Sequence, residues 1–396
     1  MSSGKPKVMF FTSSLGGGGA ERHLVNLVNS IDLNYFEIEL VLARRNGSLV
    51  SMVRDDVRIE YLTSRNIPSV SLQLLASRRA LQNVIEEKRP ALICAVLDHA
   101  SLLLASILPS LSYQPKVIFN VQNPPRLLYG NRLSFYQQSV IKLIAKLYPR
   151  ADAIVALSKG VAEDYACLVP GISDKISVIG NAVVTKSISE RYSKEEDLSR
   201  NHKEKTLISC GRLVQQKNLG LLIDAFKIVS AMLPVKLQIV GDGPKKAKLQ
   251  KKVAKLKLTN KIEFLGFNKN PYDLIKQADA LVVSSKFEGL CNAIIEAMAI
   301  GVPVVAVNCP VGPAELIDNK LTGLLSESSA IALAKSIVEL LQIIDAPSQV
   351  KIEQMIEKAR HTALRYDSNS IAIEFQNLFL SLLNQSNQPL SLVVNQ

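Results

Sequence analysis

FEGLCNAIIEAM, residues 287–298, sets two glutamates, Glu288 and Glu296, eight positions apart around a short apolar run. Just upstream, LVVSS (281–285) is rich in β-branched residues and reads as a buried strand. Just downstream, NAIIEAMAIG reads as a helix stopped by Gly301 and Pro303. Strand, loop and helix in that order make one repeat of a parallel α/β sheet. Ligands of open α/β sheets bind beyond the carboxyl ends of the strands, so Glu288 is expected at a binding edge rather than in a core, with Glu296 further along the helix.

The same alternation runs the length of the chain. KVMFFTS (7–13), FEIELVLA, ALICAVL, KVIFNVQ, DAIVALS and KISVIGN read as strands of one α/β domain, with 20–31 a helix facing inward through Leu24, Leu27, Val28 and Ile31. Residues 185–205 are charged and nearly free of core positions, as a linker should be. The pattern then restarts with TLISCGRL, VKLQIVGDG, KIEFLGF, DALVVSS and VPVVAVN, and ends in an amphipathic stretch from Ser368 that reads as a closing helix. Two such domains facing each other would frame a cleft. The expected boundaries are 1–187, a linker 188–203, a second domain 204–366 and a C-terminal helix within 367–396.

Composition narrows the function classes. With 396 residues and 47% apolar content the chain can bury two cores. Five scattered cysteines without a CxxC pair suggest neither a disulfide framework nor a zinc site, and a reducing cytoplasm fits best. The apolar run Val8 to Phe11 is too short for a signal-peptide core, and Asp98 and His99 interrupt the most apolar stretch, so neither export nor a membrane span is expected. The net charge of +12 suits anionic partners. Eight lysines between Lys245 and Lys261, with no acid among them, read as a solvated helix face or a docking patch. Without interleaved aromatics, and with no Trp in the chain, nucleic acid is disfavoured.

Residues that follow strands carry the chemistry. Gly16 to Gly19, in LGGGGAERH, let backbone approach a ligand at a helix start. Glu21 stands where a dinucleotide fingerprint needs its third glycine, and the second strand ends in Ala43, Arg44 and Arg45 without a ribose-binding acid, which disfavours NAD. Asp98 and His99 end a strand, where a histidine is either structural or catalytic. His23, beside Arg22 on the first helix, is expected to be exposed. Arg212 and Lys217, five residues apart past a strand end, suit a diphosphate, or are simply two solvated cations. Carboxylates at 288 and 296 could grip two sets of sugar hydroxyls, while the backbone N–H groups of Gly289, Leu290 and Asn292 meet phosphate oxygens between them. That combination describes a nucleotide-sugar.

Taken together, GGAERHLVNL, GRLVQQKNLGLLIDAF, VGDGPKKAKL, FLGF and the E-x7-E stretch from Glu288 resemble the retaining family 4 glycosyltransferases of the GT-B fold, over nearly the whole chain. The resemblance implies two Rossmann-like domains, the first on the acceptor side, the second binding the nucleotide-sugar, and a C-terminal helix crossing back. It implies that Glu288 contacts the donor sugar, Glu296 the ribose, and Arg212 with Lys217 the diphosphate. The Gly18-Gly19 turn would lie near the phosphates, His99 beside the donor sugar, and Phe267 near the base. Asp98 and Asn181 are implied on the acceptor side, and the CPVGPAE loop with Glu315 along the site. Cys291 departs from the small residue or Pro common in relatives. The implied reaction is front-face transfer from UDP-hexose or UDP-N-acetylhexosamine, with GDP the alternative nucleotide, to a glycan or lipid-linked acceptor of the cell envelope. No DxD triplet occurs, so no metal and no other cofactor is expected. An anionic membrane surface is a compatible partner, touched by SFYQQSVIKLIAKLYPR. The rivals are a nucleotide-sugar epimerase of the same architecture and a non-catalytic anion-binding protein.

Overall fold

The structure is a computed structural model that describes residues 4–45, 47–63, 67, 70–129, 135–192 and 203–384. The chain divides into two compact units, Met1–Ala182 with Ser368–Gln396, and Val183–Asp367.

The first unit is built on a seven-stranded, wholly parallel sheet: β1 Lys7–Thr12, β2 Glu37–Leu42, β3 Arg58–Tyr61, β4 Leu92–Val96, β5 Lys116–Val121, β6 Ala153–Ala156 and β7 Ile176–Val178, in the order β3-β2-β1-β4-β5-β6-β7. Central strands are buried on both faces, which is why β1 and β4 read as unbroken apolar runs. The first helix, Gly19–Ser30, packs against the C-terminal helix Ser368–Asn384, whose Phe375 and Phe379 are fully buried beside Phe10 and Phe36.

The second unit has six parallel strands: β8 Lys205–Cys210, β9 Val235–Val240, β10 Ile262–Gly266, β11 Ala280–Val283, β12 Val304–Val307 and β13 Leu324–Ser326, ordered β10-β9-β8-β11-β12-β13. Both sheets are therefore α/β doubly wound, reversing direction between β1 and β4 in one and between β8 and β11 in the other. At such a reversal the adjoining crossovers leave on opposite faces, opening a crevice at the strand ends.

Three elements differ from the sequence reading. Strands β3 and β13 are short edge strands, too brief to stand out as periodic runs, and β3 is only half-covered. The stretch read as linker begins instead with a helix, Lys186–Tyr192, whose Ile188 and Tyr192 are buried at 1% and 6% exposure. Two buried side chains one turn apart were too sparse a signal among the surrounding charges. Residues 193–202, including His202, lie outside the described residues.

Candidate active site

The crevice of the second unit gathers residues from the loops after β8 and β11. Because those strands are hydrogen-bonded neighbours, their loops meet although some 70 residues separate them. The Lys217 Nζ lies 2.7 Å from Glu288 Oε1. Ser285 Oγ donates to the same carboxylate oxygen. Glu288 is 5% exposed. Around it, the loops are tied by main-chain and amide contacts: Lys286 N donates to Gln216 O at 2.8 Å, Gln216 Nε2 to Phe287 O at 3.1 Å, and Ser284 Oγ to Lys217 O at 3.0 Å. The pair is thus held by a braced frame rather than by flexible side chains alone.

The local backbone explains the glycines. Gly241 adopts φ +138°, and a Cβ there would stand 1.9 Å from Gly211 O. Gly312 adopts φ +102°, and a Cβ there would stand 2.8 Å from Glu288 Cβ, so this glycine leaves the carboxylate its room. Cys291, the residue before the helix Asn292–Ile300, holds φ +76° without being glycine, a strained conformation at the mouth of that helix.

Electrostatically, burial would lower the Lys217 ammonium, but the Glu288 carboxylate outweighs that and holds it well above the ordinary lysine range. Lys217 stays charged. Burial pushes the Cys291 thiol up to about 12, reinforced by the Glu288 charge, so it is a packed neutral thiol rather than a nucleophile. Gly289 and Leu290 are buried, Asn292 opens the helix, and Glu296 is 6% exposed within it. Arg212 is exposed on the same loop as Lys217. Phe267 follows β10, two strands away from β8, with 46% of its surface exposed.

In the first unit, the loops after β1 and β4 occupy the corresponding reversal. The helix Gly19–Ser30 starts from Gly18 without a side-chain cap, and His99 stands partly exposed in the first turn of the helix Asp98–Ile107. Asp98, expected on the acceptor side, is turned inward instead. Its Oδ1 accepts from Tyr148 at 2.6 Å and from Tyr165, and its Oδ2 from Tyr129 at 3.4 Å. Burial pushes this carboxyl up, while the tyrosine hydroxyls pull it partly back. The preceding residue, Leu97, takes φ +75° and ψ +149°, a region nearly reserved for glycine. Leu97 and the caged Asp98 immediately precede His99 in the first turn of this helix.

His23 is also buried, at 1% exposure, contrary to the expectation from its neighbour Arg22. It precedes Leu27 by one helical turn and so shares the inward face. Its Nδ1 accepts from the Ala182 amide at 2.8 Å, its Nε2 is 3.2 Å from the Asn120 carboxamide, and its ring lies 5.9 Å from that of Phe375. Asn181, just before Ala182, is 2% exposed. Sequence reasoning missed Ser285, Gln216 and the three tyrosines. Only Ser285 left a local signal, a hydroxyl three residues before Glu288 at a strand end.

A seven-stranded and a six-stranded doubly wound unit make up a GT-B architecture. Residues 17–187 match the sequence profile described as Glycosyltransferase Family 4, and residues 190–362 that described as Glycosyl transferases group 1. The chain belongs to the family 4 glycosyltransferases of the GT-B fold. It is 29% identical over 339 residues, 81% of its length and 86% of the relative's, to the N-acetylgalactosamine-N,N'-diacetylbacillosaminyl-diphospho-undecaprenol 4-alpha-N-acetylgalactosaminyltransferase of Campylobacter jejuni. An uncharacterized glycosyltransferase of Methanocaldococcus jannaschii is 29% identical over 254 residues, a match that spans 62% of either chain. In fold it resembles HepE of Anabaena, crystallised with UDP and glucose, with a TM-score of 0.74 at 20% identity over 94% of this chain and 99% of that one.

Proposed function

We propose that this glycosyltransferase moves a hexose or N-acetylhexosamine from a UDP-sugar to a glycan or lipid-linked acceptor in cell-envelope polysaccharide synthesis, with retention at the anomeric carbon and without a metal ion. The observation that carries the reading is the Lys217–Glu288 pair at the β8/β11 reversal, a buried carboxylate and a permanent cation side by side. Glu288 accepts hydrogen bonds from donor-sugar hydroxyls. Lys217 and Arg212 face the diphosphate, and the helix opening at Asn292 adds N–H groups. Glu296 takes the ribose hydroxyls, and Phe267 lies by the base.

In the reaction the bond from the anomeric carbon to the diphosphate oxygen breaks and a new bond forms to the acceptor oxygen on the same face. The acceptor proton passes to the departing phosphate, whose growing charge the two cations offset, an effect worth a few kcal/mol per group. Support for UDP comes from the Anabaena protein, and support for a lipid-linked acceptor from the Campylobacter enzyme. The proposal needs no bridging metal, since Lys217 and Arg212 are assigned the role of offsetting the diphosphate charge and no DxD triplet occurs. His99 and the Gly18-Gly19 turn are proposed to act in the same reaction, with Asn181 serving the acceptor.

Among the described residues no helix is long and apolar enough to cross a membrane. We place the protein in the cytoplasm, peripheral to a membrane through the helix Phe135–Leu147, where Tyr136 and Leu143 are 51% and 44% exposed near Lys142 and Lys146. Incubating the protein with a panel of nucleotide-sugars, reading thermal protection first and transfer second, tests the proposal. Protection by a UDP-sugar with retained product configuration in the presence of EDTA is the expected result. Epimerised donor without transfer, or activity rescued only by manganese, would refute it.

A further inference from the structure

The lysine-rich stretch acquires a specific setting in the second unit. Its helix, Lys246–Lys255, borders a cavity of about 500 Å³ together with the loop after β8 and the start of the helix Leu219–Met232. Neither Lys217 nor Glu288 lines this cavity, although it shares Leu219 with the small pocket at the reversal. Lys245, Lys248 and Lys252 reach it from one segment and Lys286 from another, against a single carboxylate, Asp224.

That carboxylate is already engaged. Asp224 Oδ2 lies 2.6 Å from Lys252 Nζ, which also donates to Gly220 O at 2.9 Å. Among the described residues, the ammonium groups of Lys245, Lys248 and Lys286 have neither an ion pair nor a hydrogen bond. A solvated lysine face would fan its charges outward from one helix. Here two chain segments bring like charges around one concavity, whose floor includes Leu219 and Leu249, both under 10% exposed at 6% and 8%. Lys248 and Lys286 are exposed and Lys245 partly so, which leaves their ammonium groups open to an anion in the groove, and the volume is that of a small-molecule site.

The geometry points to a second anion site in this groove, for a phosphate-bearing ligand whose oxygens meet Lys245, Lys248 and Lys286 and whose apolar portion rests on Leu219 and Leu249. The inference goes beyond the transfer reading; because pyrophosphate also resembles the diphosphate proposed for Lys217 and Arg212, the Lys217→Gln variant is included to tell the two sites apart. The phosphate comes either from a soluble diphosphate or from a lipid headgroup.

Inorganic pyrophosphate is titrated calorimetrically into the full chain, into Lys217→Gln, and into the double variant Lys248→Glu/Lys286→Glu, with thermal unfolding to verify that each is folded. The expected result is a pyrophosphate site that persists in Lys217→Gln, weakens with added salt, and loses tenfold or more in affinity on the double reversal. Flotation with phosphatidylcholine vesicles, with and without phosphatidylglycerol, identifies the source: flotation on anionic vesicles that the double reversal abolishes assigns the phosphate to a lipid headgroup. Pyrophosphate binding and flotation both insensitive to the double reversal would overturn the inference.

Discussion

Lys217 and Glu288, from different loops of one sheet, are each other's charge partner at 2.7 Å, with side-chain exposures of 22% and 6%. The two groups proposed to grip different parts of a donor, its diphosphate and its sugar, therefore neutralise each other in the free protein. Lys217 is held charged, and both side chains are in place before any ligand arrives, so less ordering is left to do on binding.

The pairing predicts a coupled energetic response. Lys217→Ala leaves Glu288 a buried, uncompensated charge and is expected to destabilise the chain by about 2 kcal/mol, less than for a fully buried pair because Lys217 keeps some solvent contact. Adding Glu288→Gln to that variant recovers a large part of the loss. Urea unfolding of the four chains of the cycle checks this, and additive losses would show that the two side chains do not interact.

Glu288→Gln alone keeps the shape and the Ser285 hydrogen-bonding position but removes the charge. Stability is expected to change by less than about 2 kcal/mol, whereas kcat/KM for transfer drops by about two orders of magnitude. Steady-state kinetics alongside thermal melts separate the two effects. Turnover within a factor of two of the parent would remove Glu288 from the mechanism.

Gly312 has no functional group, yet it is expected to matter to the same carboxylate. In Gly312→Ala the new methyl would stand 2.8 Å from Glu288 Cβ, at a φ of +102° that alanine rarely adopts. The loop must shift, and the expected outcome is a destabilisation of about 2 kcal/mol with weaker UDP binding. Calorimetric titration with UDP reads the second effect, and unchanged affinity would disconnect this glycine from the site.

His23 predicts an acid-labile step. Burial lowers its imidazole to about 3 from an ordinary value of 6.5. Between those two values the unfolded chain binds a proton that the folded chain does not, so stability contributed by the neutral ring is complete above pH 6.5 and falls as pH drops toward 3. The slope from this one group is at most about 1.4 kcal/mol per pH unit. Chemical denaturation across that range, compared with His23→Gln, checks it: the variant should lose this part of the slope.

The Asp98 cage should separate folding from presentation of His99. Asp98→Ala strands three tyrosine hydroxyls in the interior and is expected to cost about 3 kcal/mol or more. Tyr148→Phe removes one donor and costs about 1 kcal/mol, lowering kcat with donor KM nearly constant if the strained Leu97 turn loosens. A purely structural cage would leave kcat untouched in the folded fraction.

The local pattern of the chain was enough to establish two parallel α/β layers. Strands such as β1, β4 and β11 are covered on both faces, and such burial demands uninterrupted apolar residues that are visible in one dimension. Glu288 and Lys217 were legible for a related reason, since a charge directly after an apolar strand can only lie at the sheet's carboxyl edge. Strands β3 and β13 were not: β3 is a half-covered edge, which imposes a weaker requirement on its residues, and β13 is only a three-residue strand.

What the tertiary structure alone decided is which charges meet. Strand order puts β8 beside β11, and that adjacency, not any spacing in the chain, turns two separate site residues into an ion pair. The same holds for Asp98, which three tyrosines from distant segments draw inward, and for His23, enclosed by Asn120, Ala182 and Phe375. A side chain's local sequence shows which element it rides on, whereas its charge state and its partners depend on segments brought close only when the sheet has closed.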